Sequence, residues 1–203
     1  MSDLVEAIEA EARSDFAKAL GHYARLTESG SALDRVGIFQ ALARCNEKLG
    51  RLKDAGGWRR KAGQAYRALR DEEMKADERD YLALVEYRNA VQDLHGDASL
   101  PAVAKEYSAV LKDNFSAGAE GLTHEGLFAG FFFRALGDHL TAAKYLFDTA
   151  EAMSEQASTT GDAALRDSTI ETYEKAMDSA AKAGRADVAR VAQMRAYDLK
   201  QKT

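Results

Sequence analysis

Cys45 is the one side chain in the sequence whose type alone promises nucleophilic chemistry, and its surroundings withhold that chemistry. A reactive thiol needs a base or a positive, accessible site that draws off its proton. Cys45 has no such motif around it and sits beside an apolar helical stripe, the setting of a buried, inert thiol. The histidines His22, His95, His124 and His139 are scattered, and no two have the four-residue spacing that puts a pair of imidazoles on one helix face for zinc. His124-Glu125 opens like a metalloprotease helix, but Leu127-Phe128 stand where the second histidine is required. Gly118 and Gly121 are not followed by the Gly-Lys-Ser/Thr of a phosphate-binding loop. The acidic pairs Glu72-Glu73 and Asp77-Glu78 fall in a charged inter-helix segment, where solvation is the simpler reading than acid–base work. The expectation is a protein with no catalytic residues, no metal and no cofactor.

Two clusters have chemistry suited to binding. Phe128, Phe131, Phe132 and Phe133 cover much of one helix circumference. They read as a central helix buried on several sides, or as a helix whose Phe131 and Leu127 line an apolar groove or a small-ligand pocket. Arg59-Arg60-Lys61, with Arg67 and Arg70, reads as a solvated outer face or as a surface for an acidic partner or anionic lipid. A net charge of −5 lacks the concentrated positive field that nucleic-acid binding needs. A single cysteine fits a reducing compartment. With no basic-then-apolar leader at Ser2-Asp3-Leu4 and no apolar run near bilayer length, a cytoplasmic protein is expected.

The elements that must position these groups are helices. One proline in 203 residues, with abundant Ala, Glu, Lys, Arg and Leu, suits long helices joined by tight turns. Apolar residues recur at helical spacing in about five pairs of segments, each pair broken by a turn residue: Ser14, Gly50, Gly96, Gly137 and Gly184. In the clearest pair Val36, Phe39, Leu42, Ala43 and Leu49 stripe the first helix, and Ala55, Trp58, Ala62, Ala65, Tyr66 and Leu69 the second, leaving Arg59, Arg60, Gln64 and Arg67 outward. Leu4 and Ile8 open the first pair, and Tyr81 and Val191 belong to the stripes of the third and fifth. Ser99 precedes a helix with Pro101 in its first turn. Asn114 to Gly121 and Ser154 to Gly161 read as loops.

Ala43, Gly50, Ala55 and Ala62 have the spacing of small residues that resembles the tetratricopeptide repeat. Gly130, Gly137 and Ala142, then Gly184, Ala189 and Ala196, match it in part; the third pair departs most, with Pro101 at an alanine place. The turns lie about 36 to 47 residues apart, longer than that repeat's usual 34. Lys53 to Tyr66 is similar to the soluble attachment proteins of membrane-fusion machinery. The resemblance implies an all-α solenoid of five antiparallel helix hairpins in a right-handed superhelix, one domain over 1–203 bent at 114–123. It implies an adaptor or scaffold that binds a peptide or helical protein partner, with an attachment factor lying on a coiled-coil bundle as the alternative. First helices of stacked pairs line the concave side. That register places Gln40, Arg44, Glu47, Glu86, His124, Leu127, Phe131 and Arg134 in a groove, with Asp93, Glu174 and Asp178 beside them.

Overall fold

The structure is a computed structural model that describes residues 2–114 and 122–201, with the side chains of 112–114 and 122–123 left aside. Among the described residues it holds ten α-helices and no strand. They are α1 (Asp3–Ala12), α2 (Phe16–Arg25), α3 (Ala32–Lys48), α4 (Leu52–Ala68), α5 (Ala76–Asp93), α6 (Leu100–Asn114), α7 (Leu122–Ala135), α8 (His139–Thr160), α9 (Ala163–Lys182) and α10 (Ala186–Lys200). The described residues up to Asn114 form one compact unit, and those from Leu122 onward a second. Within each unit every helix packs against its neighbours in the chain. The loop expected around Gly118-Gly121, and most of the expected bend at 114–123, lie outside the described residues.

The turn residues act as their types require. Ser14, Gly50, Gly96, Gly137 and Gly184 all have positive φ, between 60° and 80°, a region cheap for glycine and costly for most other residues. At four of these turns the following amide reaches back five residues to a carbonyl near the helix end: Asp15 to Ala10, Arg51 to Asn46, Asp138 to Phe133 and Arg185 to Ala180. The turn at Gly96 lacks that bond; Asp97 donates to Leu94 instead. Asp15 and Asp138 then start the second helices by accepting from the amides of Lys18 and Thr141. Ser31 and Asp34 form a reciprocal capping box at the head of α3.

Small residues let the helices approach. Ala43, Ala55 and Ala62 are fully buried, and the first core joins Ala7, Ala10, Ala19 and Ala41 to Tyr23, Leu42 and Cys45. In the second unit Leu146 and Tyr173 pack among Ala150, Ala176, Ala192 and Ala196. Gly130 has Leu146 so close that an added Cβ would come within 2.5 Å of its Cγ.

Several sequence expectations need correction. Ser154–Thr160 is not a loop but the last two turns of α8, because the hydroxyls of Ser158, Thr159 and Thr160 bond back to carbonyls four residues earlier and Gly161 supplies the left-handed stop. Asp77 and Glu78 lie in the first turn of α5, where the helix dipole favours anions. Leu4, Ile8, Tyr81 and Val191 are exposed: α1 turns its smaller Ala7 and Ala10 inward instead. Arg59 and Arg60 are not a free basic face, since both are ion-paired within the fold. Cys45 is fully buried, and burial pushes its thiol up to about 11. Among the described residues no helix is long and apolar enough to cross a membrane.

Candidate interaction surface

In the first unit, α1 and α3 flank an open cleft of about 860 Å³. Leu4 and Ile8, one turn apart on α1, face Leu33, Gly37 and Ala41 of α3 across it. Leu4, Ile8 and Leu33 remain 46%, 53% and 44% exposed. At one end Glu11 accepts the Tyr23 hydroxyl at 2.8 Å and the Arg44 guanidinium at 3.2 Å. Burial, then that hydrogen bond, raises the Tyr23 phenol above its ordinary value, so it stays a neutral donor.

A polar seam continues from Arg44 along α3. Gln40 donates to the Glu86 carboxylate at 2.8 Å and to the Tyr66 hydroxyl at 3.2 Å. Glu47 pairs with Arg59, whose Nε also donates to Asp93 at 2.8 Å. Glu86 is buried with one oxygen unpartnered, and burial raises its carboxyl, opposed by the Gln40 bond and the charges of Arg59 and Arg44. Asp93 is raised for the same reason, with Arg59 opposing. A buried carboxyl with a raised pKa costs stability in full above its folded value, and that cost is relieved as pH falls toward its unfolded value. Glu86→Gln is therefore expected to raise the melting temperature at pH 7, with the advantage over wild type shrinking as the buffer is taken to pH 4 in a thermal series. An advantage that grew on acidification would contradict the burial assigned to Glu86.

In the second unit the expected residues separate. His124 is exposed and Leu127 half-buried. Phe131 is 41% exposed, with the Lys175 ammonium 5.1 Å above its ring, while Phe133 takes the core place and stacks on Tyr145. Arg134 donates to Asp178 at 2.7 Å, and Asp178 also takes Lys182 at 2.9 Å, the contact that lowers its carboxyl most. Glu174 accepts Lys200. A second cleft, of about 560 Å³, opens at the α9–α10 turn around Met177, Asp178 and Arg190, and Phe131 does not line it.

The structure thus brings Gln40 and Glu86 together through one hydrogen bond, sets Arg44 on the α1–α3 cleft and commits Glu47 to Arg59. Sequence reasoning missed Leu4, Ile8, Leu33, Glu11 and Tyr23 on that cleft. His22 holds α2 to α1 through Asp3 at 2.9 Å and Glu6 at 3.3 Å. The three could offer ligand atoms to a cation, but Arg25 stands 3.2 Å from the same Asp3 and already supplies positive charge.

No protein-family model matches the chain, and no curated protein matches it. Among solved structures, the crystal structure of BtubC (BKLC) from P. vanneervenii is similar over 98% of this chain and 79% of that one, with a TM-score of 0.53 and 14% identity. At that identity the likeness is one of fold alone.

Proposed function

We propose that this chain is a non-enzymatic scaffold, a solenoid of five tetratricopeptide-like hairpins, which takes up a helix or peptide of a protein partner in the cleft between α1 and α3. The observation that carries the reading is the cleft itself: large apolar side chains from two first helices stay exposed around a floor of Gly37 and Ala41, small enough for a partner backbone to approach. The Glu11–Arg44 pair beside them offers polar contacts that fix orientation. The raised carboxyls Glu86 and Asp93 do not open on this cleft and have structural partners.

The stacking is supported by bridges between alternate helices. Gln40 and Glu86 each stand ten residues before their pair's turn glycine, Gly50 and Gly96, and Arg60 and Glu106 each stand ten after. Groups at equivalent repeat positions meet in this way when successive pairs lie one upon the next.

Photo-crosslinking amino acids placed at Ile8 and at Leu33 are expected to capture the same partner segment from native lysate, identified by mass spectrometry. Leu52, equally exposed but on α4, is expected to capture none. Ile8→Asp should cut the yield roughly tenfold at an unchanged melting temperature, as for a residue central to an interface. Arg44→Glu should cut it as much, with the helical circular dichroism retained but the melting temperature lowered by loss of the Glu11 contact. Equal capture from Leu52, or full capture by Ile8→Asp, would rule the cleft out.

A further inference from the structure

The outer face of α10 is the least accounted-for surface in the second unit. Its inner face, Ala192, Ala196 and Leu199, is buried in the core with α9 residues. Its outer face carries Val191, Met194 and Tyr197 on successive turns at 45%, 59% and 62% exposure.

The charges on that helix divide into two sets. Arg195 pairs with Glu151, Lys200 with Glu174, and Asp187 with Arg185. Arg190 and Asp198 share the exposed face with Met194 and, among the described residues, have no hydrogen-bond or ion-pair partner. They are about 12 Å apart along the helix axis at 1.5 Å per residue, too far to satisfy one another.

Their positions are mirror images about Met194: Arg190 lies four residues before it and Asp198 four after, Val191 three before and Tyr197 three after. At 100° per residue all four flank Met194 on one face. We propose that this face is a self-association surface, on which α10 packs antiparallel against α10 of a second copy about a two-fold axis at Met194. The two methionines then meet at the axis, and Arg190 comes level with the partner's Asp198 and Tyr197, at both ends at once. An isologous contact needs just such self-complementarity. A parallel pairing would instead set Arg190 against Arg190 and Asp198 against Asp198, which electrostatics disfavours. Asp187 raises no objection, since it falls opposite the partner's Gln201, which is neutral.

One helix pair covers less than a standard interface, so the dimer should be weak, with a dissociation constant on the order of 10–100 µM. Sedimentation velocity on the full chain, over a concentration range that brackets that value, is expected to show a shift from monomer to dimer and no further. Met194→Glu should leave monomer alone. Arg190→Asp and Asp198→Arg should each weaken association at least tenfold, and the double exchange should restore it to within about threefold of wild type. All three sites are exposed, so circular dichroism melting should be unchanged in every variant. Monomer at every wild-type concentration, assembly beyond the dimer, or a double exchange that fails to restore association would each overturn the proposal.

Discussion

Leu146→Ala is expected to lower the free energy of unfolding by about 3–5 kcal/mol, the upper part of the range for a buried leucine truncated to alanine. Leu146 is fully buried, and its Cγ and Cδ2 lie where a side chain on Gly130 would be. The rest of its surroundings includes Ala150, Ala176 and Ala192. Alanine and glycine have no rotamers with which to lean into a void, so the cavity persists and its cost adds to the lost transfer free energy. Urea denaturation followed by circular dichroism measures this as a lowered midpoint. Leu140→Ala, on the same helix but exposed, is the control and should change stability by less than about 0.5 kcal/mol. If the two variants matched, the close approach of α7 and α8 at Gly130 could not be as described.

That close approach was also the part of the fold most legible in the sequence. Ala43, Ala55 and Ala62 could be read because two helices crossing tightly leave no room for anything larger, and the turn residues because their left-handed backbone selects glycine. The continuation of α8 through Ser154–Thr160 was not legible: a polar run looks like a loop until its hydroxyls are seen bonding to the preceding turn. Nor was the inward turn of Ala10 on α1, since hydrophobicity alone favours Leu4 and Ile8 for the core, while the geometry of the crossing selects Ala7 and Ala10. Of the candidate surface, the first-helix register gave Arg44, but several ties between alternate helices, within one unit or the other, join residues about one repeat apart. Gln40 and Glu86 are 46 apart, as are Arg60 and Glu106, and Arg134 and Asp178 are 44 apart. Helical periodicity looks three or four residues ahead and is blind at that range. Comparison of residues equidistant from successive turn glycines is the signal that finds the first two of these pairs.

The seam also supplies the second large effect. Arg59→Met keeps the length of the side chain and removes its charge, leaving Asp93 without its guanidinium and Glu86 without a nearby cation that opposes its rise. Arg59 and Asp93 are both largely buried, so the loss resembles the breaking of a buried ion pair, moderated by partial access to water: about 2–3 kcal/mol at pH 7. The pH dependence separates this from a packing defect. Both carboxyls are already raised in the folded state, so the folded chain holds protons more readily than the unfolded one, and the cost of their charged forms is present above the folded values. Removing Arg59 raises those values further and enlarges that cost. As pH falls through them the carboxyls become neutral and the cost disappears, so the gap between wild type and Arg59→Met should narrow steadily from pH 7 to pH 4. For Leu146→Ala, which alters no charge, the gap in the same urea series should stay level, and a level gap for Arg59→Met would mean that its guanidinium serves by packing rather than by neutralising Asp93 and Glu86.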